Sequence, residues 1–164
     1  MITLILGGAA SGKSALAERV AARLAPPVTY VATWEPDPGD ADMRARVEAH
    51  RGRRPASWST RECTSDLVPV VRALAGTVLI DSLGTWVAGY GSAPVDAAGL
   101  CLALRERAGD SVVVSEEVGL GVHPSSDVGR RFRDVLGEVN QAVAAVADQV
   151  WLVVAGRVLE LHAP

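Results

Sequence analysis

The chain has 164 residues, 49% hydrophobic and 21% charged, with a formal charge of -3 and a pI near 5.6. That length suits one catalytic-sized domain spanning 1–164 and excludes a long multidomain assembly. The composition excludes a disordered chain, the acidic balance argues against wholesale nucleic-acid binding, and no apolar run approaches the ~18 residues of a membrane span. Cys63 and Cys101 fit neither a disulfide framework nor a metal motif, which points to a reducing cytoplasm.

The first apolar run, Ile2 to Leu6, lacks a basic flank and meets a glycine loop at once, so it reads as a strand and not as a signal peptide. Lys13 to Leu24 carries Leu16, Val20 and Leu24 at helical spacing and stops at Pro26-Pro27. Further short aliphatic runs follow at Val28 to Ala32, Val78 to Ile80, Ser111 to Val114 and Val150 to Val154, separated by helix-like stretches. This alternation predicts an α/β fold with a central, mostly parallel sheet flanked by helices, because strands covered on both faces are apolar at consecutive positions. Glu35 to Asp42 and Gly89 to Pro94 read as loops. The last long helix is expected over Asp127 to Ala147, with Val128, Phe132, Val135, Leu136, Val139, Val143 and Val146 on one stripe. A turn at Gly156-Arg157 then leads into Val158 to Leu161 as an antiparallel edge strand.

The strongest chemical signal is Gly7-Gly8-Ala9-Ala10-Ser11-Gly12-Lys13-Ser14, a GxxxxGK[ST] phosphate loop between a strand and a helix. In such a loop the backbone N–H groups curl around phosphate oxygens and the helix N-terminus adds a favourable dipole. Lys13 then reaches the β and γ oxygens, and the Ser14 hydroxyl ligates Mg²⁺. Of the 16 basic residues Lys13 is the one lysine, in a chain that otherwise uses arginine throughout. Thr77-Val78-Leu79-Ile80-Asp81 supplies an acid at a strand end. Asp81 would complete the metal site in a Walker B arrangement if its strand neighbours the first, or would simply end the strand in a turn.

Arg44, Arg46, Arg51, Arg53 and Arg54 cluster around His50 in a protein of negative net charge. Three readings stand side by side: a solvated helix end, a nucleic-acid patch without aromatic interleaving, and a clamp for a triphosphate or phosphorylated substrate, to which arginine's planar fork is suited. An unperturbed histidine is about three-quarters neutral at pH 7, and surrounding positive charge favours the neutral, nucleophilic imidazole.

The phosphate loop occurs together with Tyr30-Val31-Ala32-Thr33, Arg46 to Pro55, Trp58 to Glu62 and Ile80-Asp81-Ser82-Leu83. Glu117-Val118-Gly119-Leu120-Gly121-Val122, Arg131-Phe132-Arg133-Asp134 and Asn140-Gln141 complete the set. In this order they resemble, along the whole chain, the bifunctional adenosylcobinamide kinase/adenosylcobinamide-phosphate guanylyltransferases of cobalamin synthesis. The resemblance implies a RecA-like P-loop fold, commonly a homotrimer. It implies phosphorylation of the aminopropanol hydroxyl of adenosylcobinamide, then transfer of GMP from GTP through a GMP-histidine intermediate. The family usually carries two adjacent histidines; the first position here is Ala49, so the nucleophile is placed on His50. Nucleotide contacts carry over to Gly7 through Ser14, Thr33, Trp34, Arg51, Gly52, Arg53, Arg54, Glu62 and Asp81, with GTP and ATP as nucleotides and Mg²⁺ on Ser14 and Asp81. Glu116 stands where relatives often have Asn and receives no role. Glu62 is a candidate acceptor for guanine or ribose groups or a solvated carboxylate, and Trp34 either packs on a ligand face or fills a core edge. A kinase of another hydroxyl compound, or a GTP-binding module without chemistry, are the competing functions.

Overall fold

The structure is a computed structural model describing residues 1–34, 52, 54–64 and 67–163. Its elements are β1 (Ile2–Gly7), α1 (Lys13–Ala21), β2 (Val28–Ala32), β3 (Ser59–Glu62), α2 (Leu67–Ala73) and β4 (Thr77–Asp81). They continue with α3 (Leu83–Gly89), α4 (Ala97–Glu106), β5 (Ser111–Glu116), α5 (Asp127–Ala144), β6 (Gln149–Val154) and β7 (Arg157–Leu161). The strands form one sheet in the order β3-β2-β4-β5-β1-β6-β7, parallel throughout except for the final β6/β7 pair.

Consecutive apolar positions in the strands feed two different cores, because successive side chains point to opposite faces of the sheet. Leu4, Val31, Val78, Ile80 and Val113 pack with Leu67, Trp86, Leu100, Leu136 and Val143 on the face covered by α2 to α5. Ile5, Tyr30, Leu79, Val112 and Val114 pack on the other face with Ala17 and Ala21 of α1. Alanine at those two positions lets α1 lie close to the sheet, while Leu16, Val20 and Leu24 flank it.

Strand β3 escaped the sequence reading for a physical reason: its four residues, Ser-Thr-Arg-Glu, are all exposed at the sheet edge and show no apolar alternation. The short helices α2, α3 and α4 had no individual expectation either. Two predicted helix ends move inward by three residues, from Leu24 to Ala21 and from Ala147 to Ala144. In both, the last turn tightens to i→i−3 bonds, Arg23 N to Val20 O at 3.0 Å and Val146 N to Val143 O at 3.1 Å among them. Val128 leaves the expected stripe and is 79% exposed in the first turn of α5. The hairpin turn is Ala155-Gly156, one residue earlier than expected, with φ of 50° and 73°. Positive φ at both central residues matches the twist of a two-residue hairpin, and Val154 then pairs with Arg157. The expected loop at Glu35 to Asp42 lies outside the described residues.

Candidate active site

The phosphate loop leaves the carboxyl end of β1, an interior strand between β5 and β6. Ala10 (φ 54°) and Gly12 (φ 95°) both take the left-handed conformation, which turns successive backbone N–H groups toward one concavity. Gly12 is the residue type that adopts it without a side-chain clash, immediately before Lys13 begins α1. The β6-β7 turn braces the loop, Gly156 N donating to Ser11 O at 2.8 Å.

The carboxyl ends of the neighbouring strands supply acids. Strand pairing sets Glu62, Ala32, Asp81 and Val114 in one row across β3, β2, β4 and β5, and Gly7 beside Glu116. The condition that β4 should neighbour β1 is not met, since β5 lies between them. Asp81 nevertheless reaches the loop: α1 packs over Leu79, Val112 and Val114, carrying Ser14 to Asp81, and Ser14 Oγ donates to Asp81 Oδ1 at 3.3 Å. Tyr30 donates its phenol to Asp81 Oδ2 at 2.8 Å. Burial, and then the Asp81 charge, push the Tyr30 phenol far above its ordinary range, so it remains a donor to that carboxylate. The Asp81–Ser82 peptide bond is cis.

Lys13 is 9% exposed. Its ammonium donates to Gly8 O at 3.2 Å and stands 3.4 Å from Glu116 Oε1. Glu116 in turn accepts from Ser82 Oγ at 2.9 Å and from Gly84 N at 3.0 Å. Sequence reasoning missed this carboxylate, although the signal used for Asp81, an acid directly after an apolar strand, applies to it as well.

The other expected contacts are distributed unevenly. Thr33 is buried, and its Oγ1 receives Ser82 N at 2.9 Å and donates to Ser82 O at 2.5 Å, which pins the start of α3. Trp34 is half-buried beside it, Gly52 is exposed, and Glu62 ends the edge strand. Arg54 places its guanidinium 3.3 Å above the Tyr30 ring and donates to Thr60 Oγ1 at 3.3 Å. Through Tyr30, the end of the arginine segment therefore meets the Asp81 carboxylate. His50, Arg51 and Arg53 lie outside the described residues.

A phosphate loop on an interior strand, with a strand-end acid two strands away, defines a P-loop α/β protein of the RecA-like kind. Solved structures carry the same fold. The assembled type III secretion ATPase EscN of enteropathogenic E. coli matches 94% of this chain and 43% of its own, with a TM-score of 0.62 at 11% identity. A prototypical type III secretion ATPase matches 93% and 50%, with a TM-score of 0.57 at 11% identity. The chain thus spans about half the length of these structures, and the likeness is one of fold. The family described as cobinamide kinase / cobinamide phosphate guanyltransferase matches residues 3–161, and the chain belongs to it. It is 39% identical over 165 residues to the bifunctional adenosylcobalamin biosynthesis protein CobP of Pseudomonas aeruginosa, covering 95% of this chain and 94% of the relative. It is also 39% identical over 178 residues to the bifunctional CobU of Salmonella typhimurium, covering 95% and 97%. The chain is accordingly a bifunctional kinase and guanylyltransferase of cobalamin biosynthesis.

Proposed function

We propose that the two transfers use two neighbouring groups of residues, with the Ser14–Asp81 hydrogen bond as the observation that carries the assignment. It joins the phosphate loop to the strand-end acid, so one triphosphate seated on Gly7 through Ser14 meets both. The kinase step belongs to Lys13, Ser14 and Asp81. The aminopropanol hydroxyl of adenosylcobinamide attacks the γ-phosphorus, the bond to the β-phosphate oxygen breaks, and the nucleoside diphosphate departs as the hydroxyl proton is lost. Lys13 neutralises charge on the transferred group and holds it in line. ATP and GTP both present the phosphates this requires.

The Ser14 hydroxyl and the Asp81 carboxylate are both hard oxygen donors and stand within 3.3 Å of each other, which fits Mg²⁺. When bound, that ion neutralises phosphate charge. Tyr30 and Ser14 orient the carboxylate that would hold it.

The guanylyl step belongs to His50 with Arg51, Gly52, Arg53 and Arg54. A neutral imidazole nitrogen attacks the α-phosphorus of GTP, a P–N bond forms, and pyrophosphate leaves with the electron pair. The phosphate of the phosphorylated corrinoid then displaces the histidine. A covalent intermediate divides one hard displacement into two easier ones, and the arginines stabilise the leaving charge. The contact of Arg54 with Tyr30, one hydrogen bond from Asp81, supports placing this segment over the phosphate site. Glu62, Thr33 and Trp34 complete the nucleotide contacts. The whole of 1–164 acts as one catalytic domain, assembled as a trimer in the cytoplasm as in the family it resembles, with no nucleic-acid partner.

The test is GTP labelled at the α-phosphate, added before any corrinoid, followed by denaturation and digestion. Label is expected on the peptide containing His50, labile to acid and stable to base, and absent from His50→Ala. Label retained in that variant, or found on His123 or His162, overturns the assignment. Addition of adenosylcobinamide phosphate to the labelled protein before denaturation should move the label to a GDP-linked corrinoid.

A further inference from the structure

We infer that Glu116 competes with the terminal phosphate of the nucleotide for Lys13, and so sets how strongly the site distinguishes a triphosphate from a diphosphate. The inference rests on the reading of Lys13 as the γ-phosphate ligand.

Lys13 has three donors, and one of its neighbours is already an anion. Its ammonium is almost enclosed, held by Gly8 O at 3.2 Å and Glu116 Oε1 at 3.4 Å. The carboxylate therefore stands where a phosphate oxygen would have to approach. Glu116 is also anchored independently of Lys13. Ser82 Oγ and Gly84 N donate to it at 2.9 and 3.0 Å, and Ser82 is itself pinned by Thr33. Residue 84 has to be glycine for this arrangement, since a Cβ there would collide with Glu116 Oε2. When a triphosphate draws Lys13 away, the carboxylate stays behind, and its negative charge remains beside the incoming phosphate.

Two consequences follow for binding. The lysine gives up one charged partner for another, which reduces the net gain, and the fixed carboxylate repels the phosphate nearest to it. Both effects fall mainly on the γ-phosphate, the group Lys13 reaches farthest to meet, and less on the phosphates cradled by the loop backbone. Because Glu116 is partly exposed, solvent screens the interaction, and an effect of about tenfold in affinity is expected rather than several orders of magnitude. The same competition returns Lys13 to Glu116 once the γ-phosphoryl has been transferred.

The experiment titrates the full chain with GTP, GDP, ATP and ADP, in excess chelator and again with Mg²⁺, in the absence of corrinoid. Glu116→Gln should bind triphosphates about tenfold more tightly while diphosphates change by no more than about threefold, so that the triphosphate/diphosphate ratio rises. Glu116→Asp, one methylene shorter and still charged, should raise the ratio by a smaller amount. Glu138→Gln, an exposed carboxylate on α5, should leave it unchanged. An unchanged ratio in Glu116→Gln, or weaker triphosphate binding, would overturn the inference and leave Glu116 as a brace for Lys13 and a cap for α3. Should Glu116→Gln fail to fold, Glu116→Asp decides the matter by the same ratio. Nucleotide binding in this titration, with no phosphorylation in a separate assay containing adenosylcobinamide, would defeat the proposed function and spare this inference, whereas failure to bind any nucleotide would defeat both.

Discussion

The two ends of the sheet use charged side chains in opposite ways. At the amino end, Arg107 donates to Asp110 O at 2.7 Å, Ser111 Oγ at 2.9 Å, Leu74 O at 3.2 Å and Gly76 O at 2.6 Å. The terminal ammonium of Met1 meets Asp110 at 2.9 Å, and Asp148 receives Ile2 N at 2.6 Å. These charges are tied chiefly to backbone groups, which have no alternative partner once water is removed. At the carboxyl end the polar side chains hold one another: Ser14 and Tyr30 on Asp81, Lys13 and Ser82 on Glu116. Such side-chain pairs can exchange one partner for a ligand, although Lys13 also donates to Gly8 O and Glu116 accepts from Gly84 N. One end is therefore a structural seam, and the other a site that a nucleotide can enter.

That contrast breaks most visibly at Lys13. Lys13→Ala should lower both transfers by about a thousandfold, the loss of a charge aimed at the reacting phosphate, while the melting temperature moves by no more than about 2 °C. Steady-state kinetics beside thermal unfolding check it. A large fall in melting temperature would mean that the carboxyl end is also a seam.

Arg107→Ala is the reciprocal test, with the effect on stability. It strips three part-buried carbonyls and the Ser111 hydroxyl of their donor, so a loss of about 3 kcal/mol is expected, or roughly 6 to 12 °C for a domain of this size. The fraction that remains folded should keep wild-type kinetic constants at low temperature. Altered KM for nucleotide in that fraction would show that the two ends are coupled.

Asp81→Asn preserves shape and removes charge, and the Mg²⁺ concentration for half-maximal rate should rise about tenfold. Unchanged metal dependence would make Asp81 a strand terminator held by Ser14 and Tyr30.

The smallest effect is expected from Tyr30→Phe, about 1 kcal/mol near neutral pH from one lost hydrogen bond. Its pH signature is distinctive. The folded phenol holds its proton above the ordinary value of 10.0, so the stability it contributes is complete below pH 10 and declines as pH rises beyond it. Urea unfolding between pH 8 and 11 should show that decline in the wild type and a shallower one in Tyr30→Phe. Parallel slopes would mean that Tyr30 does not carry the titration.

Much of this architecture was legible in the sequence because it rests on local patterns. Aliphatic runs at consecutive positions announce strands buried on both faces, and the loop from Gly7 to Ser14 announces a phosphate site whatever surrounds it. Edge strand β3 was not legible, because four exposed polar residues leave no periodicity to read. Nor was Arg107 distinguishable from the other arginines, since its role depends on carbonyls of residues 74, 76 and 110 converging around it.

What the sequence determined by itself was the class of fold, the family and the identity of the phosphate-loop groups, all of which are written in contiguous residues. Only the tertiary structure decided that β5 separates Asp81 from β1 and that α1 nonetheless brings Ser14 to it. It also decided that Glu116 rather than Asp81 stands against Lys13. Strand order is settled by which faces the helices cover and by the crossovers between strands, not by the strands' own residues. For that reason two acids with the same local signature, each ending an apolar strand, came to face different partners in the phosphate loop.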